Sequence, residues 1–301
     1  MPHNLVRAGG CSSVFRSRSS GVRQEARIIP TSRERGPSRQ RLLVVSSDWF
    51  DGGAVRGVTL EDFWLDEALL RGRFSAKPVY YYSTMKVPRI ASIHLGKVAP
   101  LGPDGVPSGF VKHSLDETVQ ITLLGIKGDE QADLSVHGGL EKAVYAYPLD
   151  SYDAWRIEYP QHAATLVPGG FGENLCIEGM READICVGDI HRIGSTRLQV
   201  CQPRQPCFKL ALRFKDKMMP KAMVRSGRAG WYYRVLEPGE IAPGAAVHVE
   251  ERPNCDFSFT RLVDLISHGN ATRLELERMQ RMAGLAADWR SWAQDRLSRS
   301  S

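Results

Sequence analysis

Cysteines and long hydrophobic runs are both scarce in this sequence. Six cysteines among 301 residues are too few for a disulfide scaffold. No two of them form a Cys-x-x-Cys pair, which argues against a zinc or iron–sulfur site built from local spacing. No uncharged apolar stretch approaches the roughly 18 residues of a membrane helix. P-loop, Rossmann, His-Glu-x-x-His and nucleophile-elbow motifs are also missing. We therefore expect a globular protein with no membrane segment and no flavin, haem or nicotinamide site of its own.

Excess charge is also scarce outside the first quarter of the chain. The formal net charge is +6, but residues 1–84 hold 13 basic and 8 acidic side chains, whereas residues 85–301 hold 27 and 26. A basic protein is a candidate for nucleic-acid binding. Because the charge lies almost entirely in residues 1–84, we expect no specific nucleic-acid partner. Deleting those residues should abolish any nucleic-acid binding.

Residues 1–84 differ in composition from the rest of the chain. Residues 1–41 are rich in Arg, Ser, Gly and Pro, and such a segment cannot bury enough apolar surface to offset its ordering entropy. We expect a largely disordered extension with one short helix over 60–74. We also hypothesise that translation starts at Met85 or that the extension is dispensable. No apolar run of about 7–15 residues follows the first basic residues, so a secretory signal is excluded and a cytoplasmic protein is expected.

From residue 89 onward the pattern predicts many short strands. Alternating or apolar runs, bounded by Gly, Pro and Asp, recur over 90–98, 118–126, 143–147, 190–193, 198–202 and 246–250. This pattern is typical of a barrel or sandwich. Helical spacing interrupts it over 150–158, 207–214 and 218–225.

After residue 254 the apolar period becomes helical and predicts three short helices. The predicted fold class is therefore mainly β and barrel-like, with a small C-terminal three-helix domain. We place the β-rich domain at 86–252 and the helical domain at 255–298. Trp289 and Trp292 lie on one helical face, which fits a homodimer or partner surface, or a cover for one barrel end.

Cys207 lies in the segment 202–210, QPRQPCFKL, between a predicted strand and a predicted helix. Two prolines stiffen the turn, and Cys207 falls near the helix start, where backbone N–H groups favour an anion. Arg204 and Lys209 flank it, and such neighbours lower the pKa of a thiol. Two interpretations stay open from the residues alone: a reactive or metal-ligating thiolate, or a buried cysteine that acts as a small apolar residue.

Two further segments combine glycines with polar residues. The first runs from Gly125 through Asp129 to His137-Gly138-Gly139, and the second is Gly169-Gly170-Phe171-Gly172-Glu173-Asn174. Glycines let backbone N–H groups approach an anionic ligand closely. For each segment alone ordinary hairpin turns are the favoured interpretation, and His137 alone fits a structural histidine better than a ligand.

Together these segments resemble the MOSC-domain family, the relatives of the molybdenum cofactor sulfurase C-terminal domain. The order and the helical tail are most similar to the 6-N-hydroxylaminopurine resistance, or YiiM-like, subfamily. The resemblance covers about residues 86–298 and rests on these motifs in order: Gly125-x-x-Gly128-Asp129, His137-Gly138-Gly139, Phe171-Gly172-Glu173-Asn174-Leu175, Gly188-Asp189, Gln202-Pro203-Arg204-x-Pro206-Cys207-x-Lys209-Leu210 and Gly230-Trp231.

The resemblance implies a β-barrel-like domain that binds the molybdenum cofactor (molybdopterin) and reduces N-hydroxylated compounds, such as hydroxylaminopurine base analogues, to amines. Family membership also carries an association with pyridoxal phosphate binding. Cys207 matches the cysteine expected to ligate molybdenum, and Arg204 and Lys209 match its basic neighbours. His137, Gly138, Gly139 and Asn174 lie in the glycine-rich motifs that line the family's pocket.

The residues agree chemically with that implication, since a phosphate is bound by Arg, Lys and backbone N–H groups and molybdenum accepts a soft thiolate. His137 or Asp129 is a candidate proton donor. Electrons should come from an external flavin-dependent or similar reductase, because no redox cofactor motif is present. A second hypothesis is a cofactor or sulfur carrier that holds a persulfide on Cys207 without turnover.

Overall fold

The computed structural model describes residues 6–7, 13–19, 22–33, 39–50, 55–66, 87–134 and 137–299. The chain divides into two compact units, Met1–Met85 and Lys86–Ser301. The domain bounds expected from the sequence at residues 84 and 86 stay predictions.

The first unit is described by five strands that pair in chain order as an antiparallel sheet. They are β1 (Val6–Arg7), β2 (Ser13–Ser19), β3 (Val22–Arg33), β4 (Arg39–Phe50) and β5 (Val55–Asp66). A helix was expected over 60–74, but residues 60–66 belong to β5, so that expectation is wrong for this part of the segment. Residues 55–66 are rich in β-branched and aromatic side chains, which favour an extended backbone. The described strands also differ from the disorder expected of residues 1–84, which stays a prediction for the extension as a whole.

The second unit is built on a sheet of eight strands. In spatial order they are β18 (Val247–Glu251), β14 (Ile190–Ile193), β15 (Thr196–Pro203), β16 (Trp231–Glu237), β12 (Val144–Pro148), β13 (Leu175–Glu178), β6 (Arg89–Leu95) and β9 (His113–Leu115). All neighbours are antiparallel except β12 and β13, which are parallel and joined through a helix.

The sheet curls into a barrel-like form without full closure in the described residues. An isolated bridge between Arg89 and Ala246 joins the start of β6 to the residues that lead into β18, at the opposite edge. Backbone bonds from Ile90 N to Ala245 O (2.9 Å) and from Val247 N to Pro88 O (2.7 Å) strengthen this contact. The predicted barrel-like, mainly β class is confirmed.

Two smaller sheets complete the β structure. One comprises β10 (Val119–Thr122), β11 (Gly125–Ile126) and β17 (Gly239–Ile241), and the other comprises β7 (Ala99–Leu101) and β8 (Val106–Ser108). The apolar run over 118–126 was expected to be one strand and is a hairpin instead. Leu123 and Leu124 are exposed at its turn, so the apolar run continues through residues that are not in the core.

The described helices fall into two groups. The first group lies between strands and comprises α1 (Ser151–Glu158), α2 (Phe208–Phe214) and α3 (Met219–Ser226). The second group is C-terminal and comprises α4 (Phe259–His268), α5 (Arg273–Arg281) and α6 (Ala287–Arg299), which confirms the three predicted helices. Ser258 and Thr272 cap α4 and α5 through their side-chain oxygens. No helix among the described residues is long and apolar enough to span a bilayer.

The C-terminal helices share one hydrophobic core with the large sheet. Phe259, Leu262 and Met279 are fully buried in the same cluster as Val144 and Val200 of the sheet. A second, aromatic cluster under α1–α3 contains Tyr147, Tyr152, Trp155, Phe171 and Phe214. Tyr145 and Phe171 of this second cluster also line the candidate site. The division of this unit at 252–255 stays a prediction.

Deletion of residues 1–85 should leave the melting temperature and near-ultraviolet circular dichroism of the second unit unchanged, because that unit contains its own core. Thermal unfolding of the full chain and of the 86–301 fragment measures this directly. An insoluble fragment, or one with a markedly lower melting temperature, would show that the extension is part of the folded protein.

Candidate functional site

Cys207 lies in the connection between β15 and α2, directly before the first helical residue. Its backbone is extended, with φ −109° and ψ 174°, and its side chain is partly exposed. Pro203 ends the strand and Pro206 restricts the preceding residue to extended conformations. The two prolines therefore define the turn by which the chain leaves the sheet before Cys207.

The Cys207 thiol is acidified by its surroundings. Burial opposes ionisation, but hydrogen bonds from the His137 side chain and the Lys209 backbone N–H, together with the Arg204 charge, lower its pKa from 9.0 to about 7. Near neutral pH a large fraction is therefore thiolate, the form that binds soft metals and attacks electrophiles. The interpretation of Cys207 as an inert core residue is not supported by this geometry.

Arg204 is a buried cation, with only 5% of its surface exposed. Its guanidinium lies over the rings of Phe110 and Tyr145 at 5.5 and 5.4 Å, and Nη1 donates to Sδ of Met223 at 3.0 Å. Lys209 is also buried. Among the described residues, neither Arg204 nor Lys209 forms a salt bridge with a carboxylate, although Arg204 interacts electrostatically with the Cys207 thiolate and with Glu173.

Burying cations without carboxylate partners is costly, so such an arrangement is typical of a site whose ligand supplies negative charge in addition to the Cys207 thiolate. A cavity of about 90 Å³ adjoins these side chains, and we name it the cationic cavity. It is lined by Ser108, Gly109, Phe110, Lys112, Asp129, Glu130, Gln131, Ala132, His137, Gly138, Lys142, Tyr145, Phe171, Gly172, Asn174, Arg204, Gln205, Cys207, Lys209 and Tyr232.

The glycine-rich loop brings His137 to the thiol. Gly138 and Gly139 have φ values of 90° and 79°, a left-handed backbone that favours glycine. This turn lets the chain reverse between His137 and the short helix Leu140–Lys142. Of the predicted pair, Gly138 lines the cavity, whereas Gly139 lies outside the lining and precedes that helix.

Asp129 and Asn174 also reach the cavity, but their polar atoms are engaged in holding its walls. Asp129 accepts hydrogen bonds from Gly96 N at 2.8 Å, Lys112 Nζ at 2.5 Å, Asn174 Nδ2 at 2.9 Å and Gln131 Nε2 at 3.3 Å. The Oδ1 atom of Asn174 accepts from the Tyr145 backbone N–H at 3.1 Å. These contacts describe positioning residues, since four donors leave Asp129 no free oxygen.

Glu173 is a buried carboxylate that the sequence motif contained without a stated role. It accepts bonds from Tyr152 Oη at 2.5 Å, Gly169 N at 2.7 Å and Phe171 N at 3.2 Å, and burial raises its pKa. It thereby fixes the second glycine-rich loop against the aromatic core, and that loop places Gly172 and Asn174 at the cavity wall.

Sequence reasoning missed several residues of the cavity wall. Lys112, Lys142, Tyr145 and Tyr232 come from separate strands or loops and carry no motif spacing of their own. Burial lowers the pKa of Lys112, although Asp129 opposes this shift. Tyr145 was visible only as an aromatic residue of the strand predicted over 143–147, and Tyr232 only as the residue after the Gly230-Trp231 motif. Their rings contact each other at 5.2 Å beside Arg204.

The three buried cysteines have structural surroundings. Cys201 is fully buried and its thiol donates to Glu141 O at 3.0 Å, and burial raises its pKa to about 12. Burial likewise raises the pKa of Cys176 and Cys186.

In the described residues no three His, Cys, Asp or Glu side chains cluster as a metal cage. A metal at Cys207 would therefore need further ligands from a bound cofactor.

A second chamber of about 330 Å³ adjoins the cationic cavity, and we name it the aromatic chamber. It shares His137, Lys142, Gln205 and Tyr232 with the cationic cavity and is completed by Gln202, Pro203, Asp288, Trp289 and Trp292. The C-terminal helix α6 thus forms one wall of a space that opens toward Cys207's neighbours.

Comparisons with known proteins agree with the residue-level resemblance. A family model described as MOSC domain matches residues 133–248. Protein YiiM of Escherichia coli (strain K12) is 35% identical over 207 residues, which are 68% of this chain and 92% of that protein. The crystal structure of YiiM from Geobacillus stearothermophilus superimposes with a TM-score of 0.59 at 31% identity, covering 70% of this chain and 99% of that one.

A longer relative is also informative. A protein named reductase from Gibberella moniliformis is 39% identical over 168 residues, which are 56% of this chain but 30% of that protein. Most of its length therefore lies outside the similarity.

Alkylation of Cys207 by iodoacetamide, in protein produced without molybdopterin, should rise with pH around a midpoint of about 7. Below the midpoint the thiol is protonated and unreactive, and above it the thiolate dominates. His137→Ala removes a hydrogen bond to the thiolate and should move the midpoint upward, whereas the exposed His248→Ala should not. Mass spectrometry of the Cys207 peptide measures the rate. A midpoint near 9 in the unmodified protein would contradict the geometry.

Proposed function

The chain belongs to the MOSC-domain family as a YiiM-like member, and from that premise we propose that it binds the molybdenum cofactor and reduces N-hydroxylated compounds to amines. Hydroxylaminopurine base analogues are the substrate class that the resemblance implies. The observation that carries the proposal is the pair of buried cations, Arg204 and Lys209, beside an acidified Cys207 thiol.

The donor set fits this cofactor. Molybdopterin carries an anionic phosphate and a dithiolene, and Arg204 and Lys209 supply charge for the anion without a salt bridge to any described carboxylate. Cys207 would supply the protein's thiolate to molybdenum, a soft ligand that this metal accepts. The cationic cavity of about 90 Å³ holds only a small group, so the remainder of a cofactor would extend beyond it.

The bound cofactor would supply a metal centre that exchanges two electrons and accepts an oxygen atom. Overall, the N–O bond breaks, two electrons and two protons enter, and an amine and water leave. The chain's own residues hold the anion, orient the N–OH group and supply a proton. His137 is our proton donor, because its side chain reaches Cys207 and faces both spaces. Asp129, the other candidate, is assigned to positioning by its four donors.

Electrons would come from another protein, which we propose to be a flavin-dependent or similar reductase. The relative named reductase supports this, because the part like this chain is only 30% of its length and the remainder has room for further modules. A persulfide carrier remains the second candidate, since an acidified, partly exposed thiol also suits sulfur transfer.

Cys207→Ala should abolish reduction of 6-N-hydroxylaminopurine, with a loss larger than the about 10–100-fold that removal of an outer-shell partner costs. Protein purified from a host that makes molybdopterin, assayed with an artificial reductant, provides the measurement. The exposed Cys255→Ala is the matched control. Molybdenum and pterin content per chain are determined in parallel. Arg204→Met should lower both contents, and the exposed Arg225→Met should leave them unchanged.

Stoichiometric molybdenum with activity unaffected by Cys207→Ala would contradict the ligand role. Protein without molybdenum that carries a persulfide on Cys207 would favour the carrier.

A further inference from the structure

The aromatic chamber has walls of a different chemistry from those of the cationic cavity. The cations Lys112, Arg204 and Lys209 line the cationic cavity together with Asp129 and Glu130, and Lys142 lies on the boundary that both spaces share. The residues that belong only to the aromatic chamber are Gln202, Pro203, Asp288, Trp289 and Trp292. None of these is a cation. An anion therefore suits the first space, and a flat, uncharged ring system suits the second.

The two indoles are held in place rather than loosely exposed. Trp289 Nε1 donates to Gln202 Oε1 at 3.2 Å, and Gln202 Nε2 donates to Glu141 O at 2.8 Å. The rings of Trp289 and Trp292 meet edge to face with centroids 5.9 Å apart. Arg296 lies 4.6 Å above the ring of Trp292. Fixed aromatic walls lose little freedom when a planar ligand binds.

The start of α6 is tied to the glycine-rich loop of the site. Glu141 follows His137-Gly138-Gly139 in the chain, and its Oε2 accepts from Ala287 N at 2.9 Å. Its other carboxylate oxygen accepts from Arg234, and Ala286 N donates to Cys201 O at 3.0 Å. Helix α6 is thus positioned by the same segment that carries His137. The wall of the aromatic chamber is thereby linked to the proposed proton donor.

The volume and position of the chamber suit a small organic ligand. Its 330 Å³ falls at the lower end of the about 300–1,000 Å³ typical of small-molecule sites. His137, Gln205 and Tyr232 form the shared boundary with the cationic cavity. A ligand in the chamber would therefore present one end to the space beside Cys207.

We propose that the aromatic chamber is the substrate subsite and that α6 selects planar heteroaromatic N-hydroxylamines through Trp289 and Trp292. The ring lies against the indoles, Asp288 and Gln202 face its polar edge, and the N–OH group points across the shared boundary toward His137 and Cys207. This inference rests on the proposed reductase function. It leaves the balance of atoms and electrons in that reaction unchanged. It assigns the C-terminal helices a part in recognition rather than in dimerisation alone.

Trp289→Leu and Trp292→Leu should each raise the KM for 6-N-hydroxylaminopurine at least about fivefold, since stacking of a base on an aromatic side chain is lost. The kcat/KM for hydroxylamine, which has no ring, should stay within about twofold of the unmodified protein. Arg290→Ala, an exposed neighbour on the same helix, is the control and should change neither value. Molybdenum and pterin content per chain should be unchanged in all variants.

Binding of adenine, the amine product, tests the subsite without turnover. Isothermal titration with the Cys207→Ala protein should show adenine binding that Trp289→Leu or Trp292→Leu weakens. Protein labelled with 5-fluorotryptophan should show two resonances that shift on adenine addition, assigned through the conservative Trp289→Phe and Trp292→Phe variants. This second measurement keeps the test valid if a Leu variant fails to fold.

The outcomes separate the inference from the proposed function. Unchanged KM values in both Leu variants would overturn the subsite, and so would adenine-induced shifts of the resonances of other tryptophans. Loss of pterin content in the Leu variants would also overturn it, because the chamber would then hold the cofactor. Adenine binding that depends on both tryptophans in a protein without reductase activity would support the subsite and refute the function.

Discussion

The burial of Arg204 without a carboxylate partner is the constraint on which the site depends. A guanidinium that stays charged, 5% exposed and surrounded by aromatic rings and a thioether, is expensive unless something anionic completes it. Its nearest reactive neighbour is Cys207, whose thiolate it stabilises. Lys209 adds a second buried cation two residues after that cysteine. The described residues thus set the Cys207 thiolate against these two cations, and a bound anion would balance the remaining positive charge.

Two buried carboxylates hold in place the loops that surround these cations. Asp129 binds the loop before β12 to Asn174 and Lys112, and Glu173 binds the second glycine-rich loop to the aromatic core. Both use backbone N–H or amide donors that are fixed by neighbouring strands. Glu141 performs the equivalent task at the far side, where it joins the His137 loop to α6. The site is therefore rigid in its walls, which is what orientation of a substrate requires.

Much of this organisation could be predicted from local sequence, and the rest could not. Strand alternation, the change of period after residue 254 and the proline-flanked Cys207 are local signals, and the elements predicted there were found, except that the strand over 118–126 is a hairpin. The hairpin at Leu123 was missed because exposed leucines continue the apolar pattern through a turn. Tyr145 and Tyr232 were not predicted as cavity residues, since their approach to Arg204 depends on strand register, which no local spacing encodes. Asp129 was predicted as a candidate acid, but its saturation by four donors depends on tertiary packing.

The most direct test of the account is the number of sulfur ligands at molybdenum, measured by X-ray absorption on protein purified from a host that makes molybdopterin. The account predicts that the unmodified chain shows one more sulfur at bonding distance than Cys207→Ser, because the acidified thiolate beside Arg204 is the protein's ligand. Identical sulfur coordination in the two proteins would contradict it.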